Sequence, residues 1–113
     1  MIVETSETRF RDDVLYAEGV TLVDFWAPDS GKSGVQGPIL EEFAADRPDV
    51  RVVKVNARRF PRLAGALGVK ELPALVVFKD GRPLASMAGV QHRYALGRLV
   101  RAAEARADRI PEA

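Results

Sequence analysis

Asp24, Ser30, Lys32, Ser33 and Lys54 are the residues whose chemistry has to be explained first. Ser30 and Ser33 lie in WAPDSGKSGVQGP, residues 26–38, where the apolar run VTLVDF gives way to the apolar-periodic segment ILEEFAA. A small-residue turn between a strand and a helix leaves backbone N–H groups free to meet an anion. Gly31-Lys32-Ser33 also matches the end of a phosphate-binding loop. The full motif, Gly-x-x-x-x-Gly-Lys-[Ser/Thr], would put its first glycine at position 26, which is Trp26. A bulky ring there prevents the backbone from wrapping phosphates, and no second acidic strand end accompanies it. The nucleotide reading is therefore set aside.

Other chemistries are removed by composition. The chain has no cysteine, which excludes disulfides, thiolate metal sites and cysteine nucleophiles. His92 is the single histidine, so a multi-histidine metal site is excluded too. No metal and no cofactor is expected. The formal net charge is +1, from 17 basic and 16 acidic residues. That balance gives no long-range pull toward nucleic acid or an anionic membrane. The local groups Arg58, Arg59, Arg62 and Arg98, Arg101, Arg106, Arg109 read as solvated faces, the second interrupted by Glu104 and Asp108. No apolar run reaches the roughly 20 residues of a membrane span. MIVETSETRFRDD lacks the apolar core of a secretory leader, so a cytoplasmic location is expected.

The elements that must position these residues can be read from periodicity. The 113 residues suit one domain, expected over 1–106, with a frayed tail at 107–113. Ile2-Val3 reads as a short edge strand. Thr5 and Ser6 are expected to cap a helix with Phe10, Val14 and Ala17 on its apolar face, ended by Gly19. Val20 to Trp26 is nearly continuous in apolar residues, as a buried parallel strand is. A helix from about Lys32 to Ala45 should face Ile39, Leu40, Phe43 and Ala44 inward and kink at Pro38. VRVVKVN, residues 50–56, is a second buried strand, parallel to the first through a right-handed crossover. RFPRLAGALG supplies a short helix with Phe60, Leu63 and Leu67 on one side. Ala74 to Lys79 and Arg82 to Met87 should pair antiparallel across Asp80-Gly81. The last helix, from about His92 to Arg106, carries Leu96, Leu99, Val100 and Ala103 on one face. The fold class is α/β, a central mixed sheet of four to five strands flanked by helices on both faces.

With the elements in place, the chain resembles the thioredoxin family. The family carries Val-Asp-Phe-Trp-Ala, then Cys-Gly-Pro-Cys, then a proline shortly after. Here Val23-Asp24-Phe25-Trp26-Ala27 matches, Ser30 and Ser33 occupy the two cysteine positions, and Pro38 matches the later proline. VKVNA at 53–57 is similar to a family strand. LPALVVFKDG at 72–81 is similar to the family's cis-proline loop, strand and hairpin, with Pro73 as the cis residue. Gly89 matches the glycine after the last strand. The resemblance covers nearly the whole chain. Departures concentrate at the turn: both cysteines are absent, Asp29 stands where an aromatic residue is frequent, Lys32 replaces the proline, and Gly34 replaces a basic or polar residue.

The resemblance implies a thioredoxin fold and assigns roles position by position. Ser30 takes the nucleophilic thiol's place and Ser33 the resolving thiol's. Thiol–disulfide exchange needs a thiolate and a second thiol, so two hydroxyls cannot run it; apart from that chemistry, both serines are good helix caps. Asp24 corresponds to the buried carboxylate that moves the second cysteine's proton, accompanied by Lys54. A buried acid paired structurally with Lys54 is the plainer alternative. Trp26, Pro28, Gly31, Leu72, Pro73 and Gly89 would line a shallow groove in which the Leu72 backbone meets an extended peptide.

Two functional readings follow. One is a protein disulfide oxidoreductase of thioredoxin type whose two cysteines have been replaced by serine. Its partners would be protein disulfides and a thioredoxin-reductase-like reductant. The other is a natural redox-inactive binding, chaperone or assembly module, favoured by Asp29, Lys32 and Gly34, which a thiol replacement would not alter. A serine-using glutathione transferase would need a further helical domain. A monomer or weak dimer is expected.

Overall fold

A computed structural model describes residues 2–110. Five strands form one mixed sheet in the order β1-β3-β2-β4-β5, with β1 at Ile2–Glu4, β2 at Val20–Trp26, β3 at Val50–Asn56, β4 at Ala74–Lys79 and β5 at Arg82–Ala88. β1 and β2 both run parallel to β3, while β4 is antiparallel to β2 and to β5. The continuous apolar character of VTLVDFW follows from this position, since β2 has a neighbour on each edge and helical cover on each face.

Strand alternation divides the core in two. Val20, Leu22, Val52, Leu75 and Val77 point to one face and pack under helices α1 (Gly31–Asp46) and α3 (Arg93–Arg109). Val23, Phe25, Val53, Val55, Val76 and Phe78 point to the other and meet Phe10, Val14 and Ala64. Ala64 belongs to α2, Pro61–Ala66. Leu40, Phe43 and Ala44 of α1 are buried as the periodicity predicts, whereas Ile39 is only half-buried. α1 continues through Pro38. Leu96, Leu99, Val100 and Ala103 of α3 are all buried.

Two expectations need correction or extension. The first helix is not the long amphipathic element predicted from Thr5 to Gly19. It is a single wide turn, Arg11–Leu15, closed by Tyr16 N donating to Arg11 O at 2.8 Å. Thr5 is drawn into the sheet instead, donating its N–H to Lys54 O (2.9 Å) and its hydroxyl to Asp13 Oδ2 (2.6 Å). The Phe10–Val14 spacing still buries both side chains. At the other end, α3 reaches Arg109, past the 106 boundary, so Ala107, Asp108 and Arg109 are helical. Ile110 follows as its C-cap, and 111–113 lie outside the described residues.

The β4–β5 hairpin turns at Asp80 (φ 50) and Gly81 (φ 80), the left-handed pair that a two-residue turn requires. A Cβ at Gly81 would collide with the Leu15 carbonyl. Asp80 also fastens the hairpin to the start of β2, its Oδ1 accepting from Gly19 N at 2.7 Å.

Candidate functional site

The chemistry-bearing residues gather where β2 ends. The β2–β4 ladder runs out at Phe25 opposite Ala74, so Trp26 leaves β2 and Pro73 enters β4 at the same end of the sheet. The Leu72–Pro73 peptide bond is cis. Gly89, at φ 84, donates its N–H to Pro73 O at 2.8 Å, which sets the β5–α3 connection beside the proline.

The turn from Ala27 to Ser30 leads into α1. Ser30 is the N-cap, in extended conformation, and its Oγ accepts from Ser33 N at 3.2 Å. Ser33 is buried, and its Oγ accepts from Ala27 N at 3.3 Å. Both hydroxyls therefore close the helix entrance against its own backbone. Pro28 and Gly31 are exposed beside them, Leu72 is half-buried and Pro73 is buried.

Asp24, Lys54 and Glu4 stand in one row across three strands, Asp24 facing Lys54 on β3 and Lys54 facing Glu4 on β1. Asp24 is fully buried, and among the described residues neither carboxylate oxygen has a hydrogen-bond partner. Burial pushes its pKa from 3.8 to about 7, with Lys54 pulling it down and Glu4 adding to the rise. A close Asp24–Lys54 ion pair is not what the strands deliver. Lys54 Nζ lies over the Trp26 ring, 4.8 Å from its centroid, and Trp26 Nε1 donates to Glu4 Oε2 at 3.2 Å. The indole is thus held between an ammonium on its face and a carboxylate at its edge.

Two contacts at this end of the sheet escaped the sequence reading. Gln36, on α1, is completely buried and exchanges two hydrogen bonds with Gln91 in the β5–α3 connection. Gln91 Nε2 also donates to Ala88 O and Gly89 O, both at 3.3 Å. Asp29 pairs with Arg58, which follows β3, at 3.1 Å. The Arg58 guanidinium holds the Asp29 carboxyl below its usual range, mainly through their hydrogen bond. A polar residue on a predicted helix and a lone acid in a turn gave no signal of either partner.

This arrangement of parallel and antiparallel strands, helix entrance and cis-proline has a counterpart among known proteins. A family model described as Thioredoxin matches residues 1–102. The chain belongs to the thioredoxin family. Its five-stranded mixed sheet with flanking helices is the thioredoxin fold. A thioredoxin of Rhodospirillum rubrum is 39% identical over 87 residues, covering 76% of this chain and 84% of its own length. A thioredoxin of Chlamydia muridarum is 34% identical over 100 residues, 88% of this chain and 96% of its own. Thioredoxin 1 of Synechococcus elongatus is 36% identical over 85 residues, 74% and 79% respectively. Thioredoxins are thiol–disulfide oxidoreductases that act on protein disulfides; this thioredoxin-family chain has no cysteine with which to do so. Among the described residues, no helix is long and apolar enough to cross a membrane.

Proposed function

We propose that this chain is a thioredoxin-family module that binds extended segments of protein partners without exchanging disulfides. The observation that carries this reading is the use made of the two hydroxyls. Ser30 Oγ accepts from Ser33 N and Ser33 Oγ accepts from Ala27 N, so each serves the helix entrance as a structural acceptor. Beside them, Trp26, Pro28, Gly31, Leu72, Pro73 and Gly89 form the docking surface. Leu72 precedes the β4 ladder, whose first pair is Ala74 with Phe25, so its backbone is outside the sheet pairing and suits strand-like addition of a peptide. The module acts in the cytoplasm as a monomer or weak dimer and takes neither nucleic acid nor membrane as its partner.

The test is to titrate the isotope-labelled chain with an unlabelled extended peptide and follow backbone amide shifts. Perturbations concentrated at Trp26, Gly31, Leu72 and Gly89 are expected. Shifts confined to another face would overturn the reading.

One observation favours a second reading, a disulfide reductase in which both thiols were replaced by serine. Asp24 is buried, has no hydrogen-bond partner among the described residues and has its pKa raised to about 7, the property of a proton acceptor that two serines leave without work. The double change Ser30→Cys and Ser33→Cys, assayed for reduction of a protein disulfide with dithiol as electron donor, tests it. Turnover no faster than free dithiol would remove this reading. Native serine codons at positions 30 and 33 of the source gene would favour the first.

A further inference from the structure

Asp29 holds Arg58 through a single nitrogen. Both Asp29 oxygens accept from the same nitrogen, Arg58 Nε, at 3.1 and 3.2 Å. Among the described residues, neither terminal Nη group makes a hydrogen bond. A guanidinium held side-on through Nε keeps its far edge free. That edge is a planar fork of N–H donors matched to the two oxygens of a carboxylate.

The backbone under Arg58 is also fixed. Asn56 Oδ1 accepts from Arg58 N at 3.1 Å and from Arg59 N at 3.2 Å. Ala57 N donates to Trp26 O at 2.8 Å, which ties this loop to the end of β2. Arg58 therefore projects from a braced turn beside the Trp26–Pro28 wall, its side chain 64% exposed. The neighbouring segments carry exposed charge of both signs, with cations in excess. Lys32 in the first turn of α1, Arg59 beside Arg58 and Lys70 ahead of Leu72 are exposed, against the exposed acids Glu71 and Glu4, the latter accepting from Trp26 Nε1. Asp29 is already engaged by Arg58.

We propose that Arg58, aimed by Asp29, selects partners whose extended segment carries an acidic side chain alongside the residues laid against Trp26 and Leu72. This deepens the peptide-binding reading above and rests on it. Asp29 acts as the positioning residue: it fixes the plane of the guanidinium and leaves the fork edge for the partner's carboxylate. Lys32, Arg59 and Lys70 raise the local concentration of acidic segments without fixing their geometry. The apolar wall supplies contact area, and the fork supplies the choice.

The experiment uses the full chain and fluorescence anisotropy with three labelled peptides of one extended, Val- and Thr-rich sequence. They differ at one central position, which is Glu, Gln or phosphoserine. The Glu peptide is expected to bind about tenfold more tightly than the Gln peptide, as a well-formed charge pair at an interface allows. Arg58→Gln is expected to bring the Glu and Gln peptides to parity. Arg58→Lys keeps the charge but not the fork, and is expected to lose most of the preference. Phosphoserine binding as tightly as Glu is also expected, since both present paired oxygens; phosphoserine alone binding would overturn the carboxylate assignment. If Glu and Gln peptides bind equally, the docking surface stands and the role of Arg58 falls. If Arg58→Lys keeps the full preference, diffuse charge replaces the fork and the proposal falls. If no peptide binds, or the surface is covered by a second copy of the chain in sedimentation, both the selection and the reading beneath it are overturned.

Discussion

Gln36 and Gln91 bond each other reciprocally: Gln36 Nε2 donates to Gln91 O at 2.9 Å, and Gln91 N donates to Gln36 Oε1 at 2.7 Å. One buried amide thereby satisfies both backbone groups of a residue 55 positions away. Since Gln91 in turn reaches Gly89 O, and Gly89 N reaches Pro73 O, the bonds run from α1 to the proline loop.

Replacing Gln36 by Met, of similar volume but without the amide, should expose this dependence. Two backbone groups of Gln91 lose their partners, at a cost of about 1–3 kcal/mol for a buried unsatisfied group. Urea unfolding should register that loss. Hydrogen exchange at the Gln91 amide should quicken at least about tenfold, the equivalent of roughly 1.4 kcal/mol of protection, while Val100 in α3 exchanges as before. Unchanged exchange at Gln91 would show that the loop does not need the pair.

Asp24 should make stability fall as pH rises. Its folded pKa of about 7 lies above the unfolded value of 3.8, so the native state holds the proton more tightly between the two. The stabilising contribution is complete below the unfolded value and disappears as pH climbs through the folded one. The full swing is on the order of 4 kcal/mol, because each tenfold gain in proton affinity is worth about 1.36 kcal/mol. Asp24→Asn should flatten the profile from pH 4 to 8 and raise the melting temperature at pH 8. A native profile that stays level over that interval would contradict a protonated, buried Asp24.

Ser30 should behave as a cap in stability measurements. Ser30→Ala removes the acceptor for Ser33 N and should cost about 1 kcal/mol, whereas Ser30→Gly should cost only a few tenths. Denaturant midpoints at constant slope are the readout. Equal midpoints for the alanine and glycine variants would show that the Ser30 hydroxyl does not cap the helix.

The parts of the fold that were legible were those set by local pattern. VTLVDFW and VRVVKVN announce buried strands, and Asp80-Gly81 announces a hairpin because its backbone conformation suits few other residues. The long first helix failed because its intended cap, Thr5, had a better partner: it extends the β1–β3 pairing onto Lys54 O, a contact no local window contains. The turn around Ser30 was legible from its neighbours Asp24 to Ala27 and Pro38. Its wiring was not. Lys54 sits opposite Asp24 in register, yet the ammonium settles over the Trp26 ring, because side-chain direction is decided by what the fold leaves open. Gln36 carries no signal in the apolar pattern of its helix, and only the approach of the β5–α3 connection makes burying its amide favourable.

Trp26 is the chain's single tryptophan. Its indole has Lys54 above the ring and Glu4 at its N–H, and lies on the strand that carries Asp24. Emission from the unmodified protein therefore originates at one place, with charges close enough to tune its colour and intensity. A shift of the spectrum on adding a peptide, and another on crossing neutral pH, would arise from the same ring. The molecule carries its own optical gauge, needing neither label nor substitution.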